Sequence, residues 1–272
     1  MTSGIATLER LTAKATTEGE SLATRLLGAA AELGDRGDPA SLERASASVE
    51  LLDRGAGLHA DLLDPGTAHA PARPDADPRS SALAGVWLIA RGAVEIAACG
   101  DEAAARWAGA AREMVGARMN AFEDLYDAGR SPSRRLAVAE SRTGALLALA
   151  ASLGATLSEA SRSSIDAGGE FGRQLGVAVE IGEEIASPGI ASGTYPVALL
   201  YALETEPDLA TRLGRPLASD DAARVLDVAA DAGGLERAQH ERRERIDAAR
   251  RAIEGLAAGS LMTLADEVAE RG

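Results

Sequence analysis

Apolar residues recur at three- and four-residue spacing along almost the whole chain, the period of helices burying one face. Ile5, Leu8 and Leu11, then Leu22, Leu26 and Leu27, predict helix from 5 to 33, ending near Gly34. "GDRGDPAS" reads as a turn, with Asp38 or Ser41 placed to cap a second helix running to about Leu63. Residues 64–79 hold four of the ten prolines and no helical period, and read as a loop. From 80 to 98 the pattern is apolar nearly all round, which predicts a central helix. Helices follow over 101–127, 133–153 and 155–186; "SPGIASGTYP" breaks the pattern and "PVALLYALE" resumes it. Shorter helices are predicted over 207–213, 219–231, 234–257 and 259–270. No segment alternates as a strand would and no fixed-period repeat is visible. The expectation is an all-α protein of about ten helices in a single domain spanning 1–272.

Composition sharpens this picture. Hydrophobic residues make up 46% of the chain but aromatics only 3%, so the core must be built of Leu, Ala, Val and Ile. The net charge is −14, and Lys14 is the only lysine among 28 basic residues. An acidic chain without a basic stripe argues against nucleic acid or an anionic membrane surface as partner. The lone Cys99 excludes an intramolecular disulfide and a cysteine-based zinc site. The first residues lack a charged-then-apolar leader, and no run approaches 18 uninterrupted apolar residues. A cytoplasmic protein with no transmembrane segment is therefore expected.

The candidate chemistry begins in "HADLLD". Asp61 and Asp64 are three residues apart, so a helix puts both carboxylates on one face, as a Mg²⁺ site would need. Glu180, Glu183 and Glu184 repeat that geometry further along, in "EIGEEIAS". Arg142 and Thr143 offer a cation beside a hydroxyl, a pairing suited to an anion, with a structural ion pair between Arg142 and a nearby acid as the alternative. "EDLYD" (Glu123, Asp124, Asp127) has similar acidic spacing at a helix end. No Gly-rich phosphate loop, HExxH, cysteine cluster or GxSxG occurs, and no residue is assigned as catalytic.

Taken in order, "LHADLLD", "ALAGVWLIARG", "ESRTGALLALAASLGATLS", "EFGRQLGVAVEIGEEIAS" and "SGTYPVALLYALE" resemble successive motifs of the all-trans isoprenyl (polyprenyl) diphosphate synthase family. The resemblance runs from about 40 to 205 and implies that family's helical bundle around a central cavity. It implies Mg²⁺ held by Asp61, Asp64, Glu183 and Glu184, and a prenyl diphosphate contacted by Arg142, Thr143 and Glu180. "EDLYD" lies outside the motif positions.

The departures from the family pattern are concentrated on charge. Ala60 replaces the first motif's leading aspartate, Ser187 the second motif's last acid, and Val86 the acid of the Ala-Gly-Asp segment. The lysine before Thr143 is Arg142, and the lysine expected before Thr194 is absent. In "TEGESLATR" only Arg25 is basic, and only Arg73 and Arg79 remain where an arginine pair should follow the first motif. A buried diphosphate needs paired cations or metal, and much of both is missing. The reading that follows is a non-catalytic or regulatory subunit, resembling the small subunit of a heteromeric trans-prenyl diphosphate synthase. Its partner would be an intact synthase subunit, or a second copy in a homodimer. The alternative is an active isoprenoid enzyme with a remodelled site, an atypical prenyltransferase or terpene synthase-like. The scarcity of aromatic faces for carbocations weighs against the latter.

Overall fold

The computed structural model describes residues 20–63 and 78–271, which form eleven α-helices and no strand. These are α1 (Leu22–Ala31), α2 (Pro39–Leu63), α3 (Pro78–Ala97), α4 (Asp101–Glu123), α5 (Pro132–Ala139), α6 (Ala145–Leu157), α7 (Arg162–Ala186), α8 (Val197–Thr205), α9 (Ser219–Asp231), α10 (Gly234–Ala252) and α11 (Gly259–Glu270). A π-turn over Glu140–Gly144 joins α5 to α6, so residues 132–157 form one rod. Short 3₁₀ turns at Ile190–Ser192 and Pro207–Arg212 flank α8.

Local chemistry explains several helix starts. Ser21, Ser131 and Ser161 each accept the backbone N–H three residues on, at 3.1, 3.2 and 3.1 Å. Pro132 occupies the first turn of α5, where its missing N–H costs nothing. At the start of α2 the cap is Asp38, whose carboxylate accepts from Ser41 N at 3.0 Å and from its hydroxyl at 2.7 Å.

The axis of the bundle is α6, buried at every position from Ala145 to Ala155. It packs between α1 and α7, while α10 covers another side of α7 and α2 lies along α3. Backbones meet where side chains vanish. A Cβ on Gly154 would lie 2.1 Å from Leu27 O, and one on Gly172 would lie 2.3 Å from Leu147 O. Gly154 therefore joins α6 to α1 in mid-helix, and α6 runs on to Leu157 instead of stopping at 153. The break comes at Glu159, whose φ of 58° lies in the left-handed region, and α7 begins at Arg162.

The expectation that 80–98 is central does not hold. Leu83 is 66% exposed, Val86 57% and Val94 70%. The inward positions, Ala84, Leu88 and Ile96, with Ile89 and Ala93 packed against the core's edge, suffice to anchor α3, while Leu83, Val86 and Val94 face outward. Two helical stretches, residues 79–97 and 132–157, are long and apolar enough to cross a membrane; the second is mostly buried within the bundle, the first mostly not.

Candidate functional site

The second acidic segment lies on α7, and a glycine crossing brings it to the basic one. A Cβ on Gly176 would lie 2.6 Å from Gly144 Cα, so only glycine lets α7 approach the π-turn this closely. One helical turn further on, Glu180 projects inward and is 1% exposed. Its Oε1 accepts from Arg135 at 2.6 Å and from Arg142 at 2.6 Å. Its Oε2 accepts from Thr143 Oγ1 at 2.6 Å and from Arg142 Nε at 3.2 Å. Arg142, Thr143 and Glu180 are thus brought together, with Glu180 on the receiving end of both neighbours.

Glu184, one turn beyond, pairs with the same guanidinium of Arg135. Its other oxygen accepts the backbone N–H of Val197 at 2.9 Å, the first residue of α8. A carboxylate there satisfies an orphan donor and complements the positive end of the helix. Glu183 points away and is exposed, and Ser187 closes α7 with its N–H on Glu183 O at 2.9 Å.

The charges respond to this environment. Burial alone would raise the Glu180 carboxyl, but Arg142, Arg135 and the Thr143 hydroxyl hold it down at about 2. Burial would likewise lower Arg135, and the carboxylates of Glu184 and Glu180 overcome this and hold it above its ordinary value. Arg135 is 4% exposed, and its Nε and NH1 have no hydrogen-bond partner. Arg135 is not among the candidates that the sequence motifs offer. The signal was its spacing, because Arg135 and Arg142 are seven apart and so share one helical face.

A divalent ion needs free anionic oxygens. As they stand, Glu180 and Glu184 do not fit one: guanidinium, hydroxyl or backbone donors hydrogen-bond three of their oxygens, and the fourth, Glu184 Oε1, lies in ion-pair contact with Arg135. Among the described residues no three His, Cys, Asp or Glu side chains gather as a metal set. Asp61 sits in the last turn of α2 but its side chain, like the whole of Asp64, lies outside the described residues. His59, beside them in sequence, places Nε2 3.1 Å from Ala82 O, against Gly85 at the α2–α3 crossing.

Of the "EDLYD" acids, Asp124 has a structural role. Asp124 is 2% exposed and accepts from Arg134 Nε at 2.7 Å, with Arg130 NH1 at 3.8 Å. Arg130 in turn donates to Tyr195 O, fastening the segment before α8. Burial, aided by the nearby charge of Arg135, lowers the Arg130 guanidinium to about 10.

No protein-family profile matches the chain. It is 26% identical over 198 residues to the nonaprenyl diphosphate synthase of Mycobacterium tuberculosis (strain H37Rv). That match covers 66% of this chain and 59% of the relative, less than two thirds of its length. The fold matches a decaprenyl diphosphate synthase from Rhodobacter capsulatus with a TM-score of 0.88 at 22% identity, over 97% of this chain and 90% of that one. A polyprenyl synthase from Caulobacter crescentus, solved with calcium and isoprenyl diphosphate, gives 0.87 at 22% over 98% and 89%. A geranylgeranyl pyrophosphate synthase from Corynebacterium glutamicum gives 0.81 at 25% over 98% and 86%. With its helical bundle and its acidic α7 packed on the Arg142–Thr143 turn, the chain has the fold of the polyprenyl diphosphate synthases and is similar in sequence to one of them.

Proposed function

We propose that this protein serves isoprenoid biosynthesis as a non-catalytic or regulatory subunit that pairs with an intact prenyl diphosphate synthase. The observation that carries this reading is the state of Glu180. Arg142 and Thr143, the cation and hydroxyl that resemblance assigns to a prenyl diphosphate, are both spent on a buried carboxylate. An incoming diphosphate would have to draw both away from Glu180 and leave that buried charge to Arg135 alone, a cost of several kcal/mol. Chain elongation also asks for metal-held carboxylates, and Glu184 is engaged at the start of α8 instead.

The partner's place is the outward face of α3 and α4. Leu83, Val86 and Val94 on α3, with Val115, Met119 and Phe122 on α4, are six of the seven large exposed hydrophobics among the described residues. The residues share helical stripes (83, 86, 94 and 115, 119, 122), and Gly109 and Gly116 on α4 leave room for close approach. In this reading the chain acts as one helical unit, cytoplasmic like the pathway it would serve. Mg²⁺ and a prenyl diphosphate are bound by the partner synthase; at this chain's own site, Asp61 and Asp64 are the carboxylates to probe for metal.

The test is direct. The purified protein is incubated with Mg²⁺, isopentenyl diphosphate and allylic diphosphates of several lengths, alone and with a full-motif synthase from the same organism. The expected result is no product from the protein alone, a stable complex, and an altered product length in the mixture. Turnover by the protein alone would overturn the subunit reading in favour of a remodelled isoprenoid enzyme.

A further inference from the structure

We infer that Arg135 is a built-in counter-cation whose charge closes the Glu180–Glu184 pair to divalent metal, and that removing this charge would open a cation site there. The geometry is specific. One guanidinium nitrogen, NH2 of Arg135, contacts Glu180 Oε1 at 2.6 Å and also Glu184 Oε1. A nitrogen bridging one oxygen from each of two carboxylates stands where a shared metal ion would stand. Arg142 adds a second positive charge on Glu180 at 2.6 Å. Two guanidiniums therefore face two carboxylates, and the cluster is neutral without any ion.

A Mg²⁺ entering it would need oxygens at about 2.1 Å and would meet a buried like charge instead. The remaining guanidinium nitrogens of Arg135 tell the same story from the other side. Nε and NH1 find no partner in the interior, which costs free energy. Among the described residues, the two carboxylates alone hold the charged end of this side chain in place. Arg135 is therefore a positioning residue for these acids. It keeps Glu184 at the start of α8, where Oε2 accepts from Val197 N at 2.9 Å.

Binding of Mn²⁺ alone, followed by loss of its free-ion electron paramagnetic resonance signal, tests this without reference to turnover or to any partner, so it stands or falls separately from the subunit reading. All proteins carry D61N and D64N, which removes the first acidic segment. In that background Mn²⁺ affinity is expected to be weak and unchanged by E184Q. R135M, of similar length and uncharged, is expected to bind at least tenfold tighter, and R135M/E184Q to lose the gain. A background protein whose Mn²⁺ affinity drops tenfold with E184Q would overturn the inference. So would an R135M protein, folded by circular dichroism, that gains nothing. Should R135M fail to fold, the comparison with and without E184Q decides alone: equal affinities support the inference and a loss overturns it.

Discussion

A carboxylate buried to 1% exposure stays ionised only while its partners outweigh the cost of leaving water, and Glu180 makes that balance measurable. Its ordinary value is 4.5 and the fold holds it at about 2. Between these values the unfolded chain binds a proton that the folded chain refuses. Stability from this group is therefore fully present above 4.5 and is lost as pH falls toward 2. The span corresponds to on the order of 3 kcal/mol. In urea unfolding between pH 6 and 2.5, the wild type should lose about that much more than E180Q, whose other carboxylates are the same. At pH 7, E180Q itself should be less stable by about 3–5 kcal/mol, because Arg135 and Arg142 keep their charge with one carboxylate fewer. Parallel pH profiles for the two proteins would show that Glu180 is not held ionised.

At the scale of helices, packing is set by where side chains are absent. Gly172 lies over Leu147, and a Cβ there would stand 2.3 Å from the backbone oxygen and 2.6 Å from its carbon. Neither atom can move without shifting α6, so G172A should cost about 3 kcal/mol or more. For a chain of this size that is a drop in Tm of roughly 6–12 °C. Gly28 on α1 is exposed with nothing within 4 Å, and G28A should instead raise Tm slightly through helix propensity. Calorimetry on the pair separates contact from propensity. The same logic shows what the sequence could reveal. Helix existence was legible from the apolar period, a cap at Asp38 or Ser41 from the turn before α2, and the order of the acidic and basic motifs from their resemblance to the family. The end of α6 was not, because Gly154 looks like a stop in sequence and is a crossing point in space. Nor was the outward face of α3, since apolar periodicity cannot distinguish a core from a surface awaiting a partner. Glu180 and Arg142 could be named from the resemblance of their segments to family motifs, but that they neutralise each other depends on a tertiary contact between α7 and the π-turn.

For the molecule as a whole, the outward apolar stripes are the feature that a lone subunit leaves unexplained. The main core is complete without them, and buried residues of α1, α2, α4, α6, α7, α10 and α11 already pack together. Leaving Val94 and Leu83 about two-thirds exposed then forfeits burial free energy at roughly 25 cal/mol per Å² of apolar area, unless another surface covers them. A carboxylate placed in such a covered face would be stripped of water with no cation prepared to meet it. V94D/M119D should therefore leave the isolated chain's Tm within about 2 °C of wild type, since both sites face solvent there. The same variant should weaken association with the proposed partner synthase, or with a second copy, by at least tenfold in sedimentation equilibrium. G116A adds the complementary case. Its Cβ meets nothing within 4 Å among the described residues, so stability should hold or rise, while a partner helix seated against α4 would be pushed away. Association unchanged in both variants would place the partner elsewhere on the molecule. Association lost in V94D/M119D but retained in G116A would put the contact on the long side chains, with the helices too far apart for glycine to matter.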